Sequence, residues 1–505
     1  MQKTSIHIFG GYFGVLCAAG VLYVASCAPG ALWQDSGLIQ YRTWHNDIEG
    51  PLGLALSHPL YYLLAIGAKL TGLGEFGYRV NLVSALAGAV AVANLYLLVH
   101  LWLGEAFPAL LAAATLALSH TFWQHASIAE TYTLWVALFL GELIVLLQYT
   151  RTKRLAYLYA LGLLNGLALA VHILATIPLL CYVVWLVVLS AKRTIRARNI
   201  AVLALLWMIG ALPYGYLIVK HIVGTGDVLG TLASAAFGAR WQADVLNTGL
   251  SWTLVKENVL LLLYNVPTPN ILLFFAGLIA FRRVACDSVF RIIFAVLMVL
   301  FFVFAFRYTV ADRYAFFIPF YSLAAATVGL GAQLVRTRLR GRLMPAVTAV
   351  FALMPVAVYA VVPGWAERAQ LSIGTRADVA YRNDYAYFLR PWKTGEDGPE
   401  RFAQAALTVA EPDAVIYADT TTAAPLLYVQ EVDKVRPDVQ IVTGTIRSEG
   451  APPYDEDTFE SLVRRRHVYV TSDKPGYGPP FVLGKHRLMK TGPLWRVTGS
   501  CGAAH

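Results

Sequence analysis

Residues 290–307 read FRIIFAVLMVLFFVFAFR, with a charge near each end and none between. A run of about 20 apolar residues crosses a bilayer as a helix, because hydrocarbon offers no partner to an unpaired backbone amide. The two ends of this run differ. Arg282, Arg283 and Arg291 crowd one side, whereas Arg307 opens a short polar stretch, RYTVADRY (307–314), on the other. Basic residues collect on the cytoplasmic side of spans, so this helix is predicted to run outward from its N-terminus.

The same reading extends in both directions. Comparable runs occupy 6–28, 79–101, 107–126, 131–149, 155–172, 173–190, 200–222, 268–281, 314–334 and 344–363, giving about eleven spans with 290–307. Three further basic clusters lie in short loops: Arg151, Lys153 and Arg154; Lys192, Arg193, Arg196 and Arg198; Arg336, Arg338, Arg340 and Arg342. Alternating spans put all four clusters on one face, the cytoplasmic one. With Lys3 inside and an odd number of spans, the C-terminus is expected outside. The chain is 58% hydrophobic and only 14% charged, against about 25% charged in soluble domains. Its net charge of +10 is therefore orienting charge, which attracts anionic membrane lipids and calls for no nucleic acid. The five cysteines have no metal-ligand spacing, and neither a disulfide framework nor zinc is expected. Val24-Ala25-Ser26-Cys27 resembles a lipoprotein cleavage box, but the run before it is long enough to span.

Two segments escape the bilayer pattern. Residues 29–78 form a first outer loop, polar at its start; its apolar part, 60–73, is too short to cross and suits an interfacial helix. A similar interfacial stretch is expected at 252–265, ended by Pro267-Thr268-Pro269. Beyond residue 363 a soluble α/β domain (364–505) is predicted, separate from the membrane domain (1–363). Strands are expected at 413–418, 439–443 and 467–471, helices at 423–435 and 456–465, and a hairpin through 481–498.

Residues capable of chemistry gather at the outer face. The first outer loop carries Asp35, Arg42, His45, Asp47, Glu49 and His58. Glu130 follows the third span, with His125 before it and Tyr132 after it; His172 ends the fifth; Arg307, Asp312 and Arg313 share one short loop, and Arg240 lies in another. Each has a plain alternative. Asp35 could cap a short helix through Ser36 and Gly37, Glu130 could sit by a helix N-terminus, His172 could be a buried polar contact, and Arg313 could pair with Asp312. Asp47 and Glu49 form an acid-x-acid pair able to hold a divalent ion, although a solvated loop is the commoner case. No cofactor is required by the sequence. Trp33, Trp44, Trp123 and Trp241 could stack on sugar rings or belong to an interfacial belt. Acids and bases converging on one water-accessible face point to a site rather than to chance.

Five strings, Asp35-Ser36-Gly37, His58-Pro59-Leu60-Tyr61-Tyr62, Ala129-Glu130-Thr131-Tyr132, Gly166 to His172 and Asp312-Arg313-Tyr314, together resemble the GT-C glycosyltransferases. More narrowly they resemble the protein O-mannosyltransferase-like branch, with its eukaryotic transmembrane members and bacterial relatives. The likeness continues at Glu411-Pro412-Asp413 and Arg436-Pro437-Asp438. Two departures stand out: Gln34 and Leu38 flank the Asp-Ser-Gly where the branch often has proline and glutamate, and Leu60 replaces the second proline of a His-Pro-Pro motif.

The resemblance implies a mainly α, polytopic GT-C bundle with a small extracytoplasmic α/β domain, in a bacterial inner membrane. It further implies inverting transfer of a sugar from a polyprenyl-phosphate donor to a hydroxyl on a protein, glycan or lipid acceptor. Asp35 would be the general base and Glu130 the second acid. Arg313, Arg307, His58 and Arg240 are the candidate cations for the departing phosphate; His125, His172, Tyr132 and Asp312 are candidates for sugar or acceptor. The rival reading is a transporter or a flippase of lipid-linked sugars. Transporters place their sites near the midplane on broken helices from paired repeats, whereas here the polar residues sit at outer ends and no repeat is visible.

Overall fold

A computed structural model describes residues 2–238, 247–284, 286–310, 312–338, 343–373, 376, 378–446 and 451–500. Arg240 and Trp241, and Arg340 and Arg342 of the fourth basic loop, lie outside the described residues. The chain forms two compact units. One comprises Met1–Ser26, Ile48–Leu64 and Val83–Val362; the other comprises Cys27–Asp47, Ala65–Leu82 and Pro363–His505. The second unit thus combines the C-terminal segment with two stretches of the first outer loop.

The first part of the chain is helical: α1 (Gln2–Ser26), α2 (Gln34–Trp44), α3 (Pro59–Lys69), α4 (Phe76–Leu103), α5 (Ala106–Ala117), α6 (His120–Ser127), α7 (Tyr132–Thr152) and α8 (Leu155–Val171). There follow α9 (Thr176–Ala191), α10 (Ala197–Gly210), α11 (Leu212–Thr225), α12 (Val228–Phe237), α13 (Trp252–Asn265), α14 (Leu272–Ala280), α15 (Ser288–Arg307), α16 (Ile318–Arg338) and α17 (Leu343–Arg368). Seven apolar helical segments among the described residues are long enough to span a membrane unbroken, and three further helix pairs reach that length only with a bend. Seven of the eleven expected segments are unbroken helices of spanning length, 107–126 and 200–222 are bent pairs, 268–281 reaches that length only together with α13, and 155–172 is a shorter apolar helix, so the described residues hold up to ten candidate spans rather than eleven.

The bends have local causes. Between α10 and α11 the axis turns by 73°, with a proline in the first turn of α11, where a missing N–H costs no helical bond. The 110° turn between α13 and the helical segment from Pro269 falls at the expected proline breaker. The 65° bend between α5 and α6 has no proline or glycine at its break. Carbonyls released there are satisfied by tyrosines: Tyr23 donates to Ala117 O at 3.1 Å and Tyr359 to Leu118 O at 3.3 Å. In an apolar setting such partners replace water.

The helices of the first unit pack through small residues and aromatic rings. A Cβ on Gly166 would lie 2.2 Å from Trp207 O, and one on Gly331 only 1.9 Å from Leu273 O, so α8 meets α10, and α16 meets α14, backbone to backbone. Trp135 and Phe139 of α7 stack at 5.0 Å and both meet Phe301 of α15. Glu142, buried in α7, accepts from Tyr182 Oη at 3.0 Å and Asn165 Nδ2 at 3.2 Å, while Trp207 Nε1 donates to Asn165 Oδ1 at 3.0 Å. This network ties α7 to α8, α9 and α10, the usual use of polar groups inside a bundle.

The second unit continues with α18 (Asp384–Leu389), α19 (Gly398–Val409), β1 (Val415–Tyr417), α20 (Thr420–Glu431), β2 (Gln440–Val442), α21 (Glu456–Val463), β3 (Val468–Val470), β4 (His486–Thr491) and β5 (Leu494–Ser500). Sheet order is β2-β1-β3-β5-β4, with β1 parallel to β2 and β3 and the β4–β5 hairpin antiparallel. Val415, Tyr417, Val442, Phe459, Val468 and Val470 build one core. These elements match the alternation read from the sequence. The helices α18 and α19 had no expectation, although α19 buries Phe402, Ala403, Ala406 and Leu407 along one stripe.

The outer-loop stretches are fastened into this unit. Gly37 lets α2 approach α20 so closely that a Cβ there would lie 2.8 Å from Ala424 Cβ. Glu431 takes Tyr41 Oη at 3.2 Å and His45 Nε2 at 2.6 Å, and Gly77 N donates to Tyr428 Oη at 2.9 Å.

Asp433 lies at the end of this seam. Desolvation, then the charges of Glu400 and Glu75, push its carboxyl up to about 6. An acid raised in the folded state binds a proton more tightly there than when unfolded, where its value is about 3.9. Stability of the seam therefore increases as pH falls from about 6 towards 4 and is lost again as pH rises through 6. Amide protection across residues 420–435, taken relative to the pH-dependent intrinsic exchange rate, is expected to rise between neutral and mildly acidic pH in the wild type. Asp433→Asn should remove that dependence; an unchanged pH response in the variant would refute it.

Candidate functional site

Asp35 is the second residue of α2. The capping alternative does not hold: Trp33 occupies the N-cap position, and no side chain supplies the cap bond. Instead Gln34 adopts a left-handed backbone, φ +54°, which is uncommon outside glycine and asparagine. Asp35 leaves this turn with an exposed side chain. Among the described residues its carboxylate has no hydrogen-bond or ion-pair partner. Although water reaches it, surrounding protein thins its hydration, and this desolvation raises its carboxyl above the ordinary carboxylate range.

The turn before Asp35 is tightly held. Trp33 is fully buried, with its ring 5.6 Å from Phe402. Gln40 accepts from Leu32 N and donates to Gly30 O, both at 3.0 Å, pinning the segment that enters α2. Trp33 is thus a core residue, and Trp44 is flanked by Phe76, Lys69 and Lys434. Neither presents a bare ring for a sugar.

In the first unit the structure gathers a chain of rings. His58, itself left-handed at φ +52°, stacks on His172 at 5.0 Å; His172 meets Tyr132 at 5.1 Å; Tyr132 meets His125 at 5.3 Å; His125 meets Tyr314 at 5.7 Å. Five rings from four stretches of the chain, including three of the four candidate acceptor residues, His125, His172 and Tyr132, therefore form one aromatic wall. Asp312 and Glu130 stand close enough for their charges to act on Tyr132. His58 Nδ1 lies 2.7 Å from Val171 O, so it carries the proton there. A neutral ring then offers only an acceptor at Nε2, and phosphate would require the imidazolium.

Glu130 is half-buried in the break before α7. Its position comes from Ser84 of α4, whose Oγ donates to Glu130 O at 2.8 Å and accepts from Glu130 N at 2.9 Å, while Tyr61 Oη lies 2.8 Å from the same oxygen. Because the Ser84 proton goes to Glu130 O, Tyr61 must be the donor to Ser84. His172 is a buried polar contact as well as a ring: its Nδ1 accepts from Leu174 N at 3.1 Å.

The cations sit elsewhere in the unit. Arg313 pairs with Glu257 rather than with its neighbour Asp312, and its Nε donates to Asn258 Oδ1 at 3.3 Å. Arg307 donates to Asn247 O and lies over the Phe304 ring. Asn247 and Glu257, with Ser251, Thr253 and Thr309, line an open depression of about 450 Å³. Two arginines of the 307–314 stretch thus bind residues that line one open hollow, Arg307 through Asn247 and Arg313 through Glu257. Asp47 and Glu49 each have ion-pair partners: Arg42 at 3.5 Å for Asp47, and Lys220 at 2.7 Å for Glu49. Among the described residues no cluster of three histidine, cysteine or acidic groups could hold a metal.

Residues 57–196 match the family model described as the Protein O-mannosyl-transferase TMEM260 N-terminal domain. The mouse (Mus musculus) Protein O-mannosyl-transferase TMEM260 is 30% identical over 212 residues, which is 41% of this chain and 29% of that protein. The chain therefore spans less than a third of that relative. Among solved structures, ArnT from Cupriavidus metallidurans, determined with undecaprenyl phosphate bound, superposes with a TM-score of 0.60 at 14% identity over 98% of this chain and 99% of its own. A looser likeness, TM-score 0.46 at 14% identity, covers 91% of this chain and 69% of the archaeal oligosaccharyltransferase AglB from Archaeoglobus fulgidus. The near-complete two-way coverage by ArnT is a likeness of fold. The chain is thus an integral membrane protein with the fold of ArnT, and its residues 57–196 are similar to the TMEM260 O-mannosyl-transferase N-terminal domain.

Proposed function

We propose that the chain is a membrane glycosyltransferase. It would move a sugar from a polyprenyl-phosphate carrier to an acceptor hydroxyl, in one inverting displacement on the extracytoplasmic face of a bacterial inner membrane. The N-terminus is then cytoplasmic and the 364–505 segment outside. One observation carries the reading: Asp35 offers an exposed carboxylate with no partner among the described residues, on a strained turn, with its proton affinity raised by desolvation, the direction that suits a general base. The TMEM260-type domain and the fold of a protein that binds undecaprenyl phosphate support it.

In this reading Asp35 takes the acceptor proton as its oxygen attacks the anomeric carbon, and the bond to the carrier phosphate breaks as charge grows on the leaving oxygen. Cations stabilise that charge. Arg307 and Arg313 beside their hollow are the first candidates, followed by His58 and Arg240. Glu130, Asp312, Tyr132, His125 and His172 would orient sugar and acceptor. Rings suit the apolar faces of a sugar, and acids accept from its hydroxyls.

The test is transfer by the purified protein in lipid from labelled polyprenyl-phosphate sugars to serine and threonine peptides, glycans and lipids. Product with inverted anomeric configuration is expected. Absence of transfer from every carrier would overturn the proposal, and retained configuration would overturn the single displacement. Arg313→Gln is expected to raise donor KM by about tenfold or more, the worth of a charge-assisted hydrogen bond. Its ion-pair partner Glu257 is half exposed and remains hydrated in the variant. An unchanged donor KM would remove Arg313 from the phosphate site.

A further inference from the structure

Arg382 is buried, with its side chain 1% exposed, and it comes from the segment after the last span. Its Nε donates to Asp384 Oδ1 at 2.6 Å, and its Nη2 donates to Gln34 Oε1 at 3.4 Å. The guanidinium lies 5.3 Å from the Trp33 ring and 4.7 Å from Tyr387. Asp384 is fixed in turn, since its second oxygen accepts from Arg376 N at 3.1 Å. One arginine therefore grips both residues that precede Asp35: Trp33 by its ring and Gln34 by its amide.

That grip falls where the backbone needs it. Left-handed φ at Gln34 is unfavourable for a residue with a Cβ, so the turn persists only while its surroundings hold it. Released, Gln34 would relax to negative φ and swing the Cα–Cβ bond of Asp35 away from its present direction. The charge of Arg382 is already occupied by Asp384, and Lys393, Glu396 and Arg390 stand around the same cage. Desolvation, with no charged partner, accounts for the raised affinity of Asp35, so the influence of Arg382 on Asp35 is geometric.

We infer that Arg382 is a positioning residue that braces the Trp33–Gln34 turn and thereby aims Asp35 at the acceptor hydroxyl. This rests on Asp35 acting as the base. It assigns to the extracytoplasmic segment a part in catalysis, acting through the first outer loop.

The experiment measures single-turnover transfer against pH, with donor and acceptor KM, for the full-length protein and four variants. Arg382→Ala is expected to lower kcat by about 10–100-fold, the cost of a misplaced group, with both KM values little changed. The acid limb of its pH profile should move to lower pH as Asp35 becomes better hydrated. Arg382→Lys, which keeps the charge but not the planar fork, should recover only part of the rate. Gln34→Ala removes the gripped amide while leaving the buried ion pair, and should move the limb in the same direction by less. It decides the matter if Arg382→Ala fails to fold. Arg376→Ala breaks the 2.6 Å pair with Asp419 in the same unit without touching the turn, and should leave the limb in place. An unmoved limb in both Arg382→Ala and Gln34→Ala, or an equal shift in Arg376→Ala, would overturn the inference. Full activity in Asp35→Asn would instead overturn the assignment of the base, which is a separate failure.

Discussion

Asp35→Asn is expected to slow sugar transfer by about 10²–10⁴-fold while leaving donor binding unchanged, the range in which a positioned general base contributes. Each factor of ten is about 1.4 kcal/mol of barrier, so the loss corresponds to roughly 3–5.5 kcal/mol. Asparagine matches aspartate in shape but cannot take the acceptor proton. The variant is also a clean one, because the Asp35 carboxylate has no partner among the described residues and its removal strands no buried cation. Folding should be unaffected or slightly improved, since a desolvated charge is lost. The wild-type rate should climb with pH through the Asp35 carboxyl value, on a limb above the ordinary carboxylate range, because the base must be ionised to act. Transfer by Asp35→Asn within about threefold of wild type would sink the base assignment and send the search to Glu130.

Gly331→Ala is expected to be the most damaging single-methyl change in the membrane body. In an ordinary helix, glycine to alanine gains about 1 kcal/mol. Here the added Cβ would sit 1.9 Å from Leu273 O and 2.9 Å from Gly277 N. Both are backbone atoms of the helix opposite, and a backbone cannot turn aside as a side chain can. The crossing must open, and the reciprocal contact of Gly277 with Thr327 O, at 2.0 Å for a Cβ, opens with it. Overpacking in a tight core costs about 1–3 kcal/mol and sometimes more; at a double backbone contact we expect about 3 kcal/mol or above, which outweighs the propensity gain. Gly14→Ala supplies the contrast, because nothing lies within 4 Å of its Cβ position. Thermal stability of the detergent-solubilised protein should fall for Gly331→Ala and hold for Gly14→Ala. Equal behaviour of the two would show that the close crossing does not limit stability.

Much of the molecule was legible from one dimension because lipid is an unforgiving solvent. Every spanning segment must be apolar for about 20 residues and must satisfy its own backbone, so the eleven runs and the four basic loops stood out without tertiary information. The soluble elements from β1 to β5 were similarly legible, since burial imposes alternation or a short apolar run on each strand. What local pattern marks weakly was missed. The α5–α6 bend lacks a proline or glycine at its break, and is stabilised by Tyr23 and Tyr359 reaching in from elsewhere. The amphipathic helix α19 carries its stripe in the sequence at Phe402, Ala403, Ala406 and Leu407, but over only three turns.

The site divides the same way. Composition at the outer ends of the spans, together with the motif strings, was enough to single out Asp35, Glu130, His125, Tyr132 and His172. The choice of partner was not decided there. Arg313 has an acid beside it in sequence but takes Glu257 from α13, because a residue and its immediate neighbour point in different directions while a packed helix presents a face. Glu130 is held by Ser84 and Tyr61, not by the helix dipole alone. The sequence by itself marked a membrane chain, most of its apolar helices and a carboxylate to test, since hydrophobicity and charge act locally and add along the chain. Only the tertiary structure decided that residues 27–47 and 65–82 belong with the C-terminal segment, that Gln34 is strained, and that Arg382 holds it. Those are contacts across hundreds of residues, fixed by shape and by single hydrogen bonds, and no local periodicity encodes them.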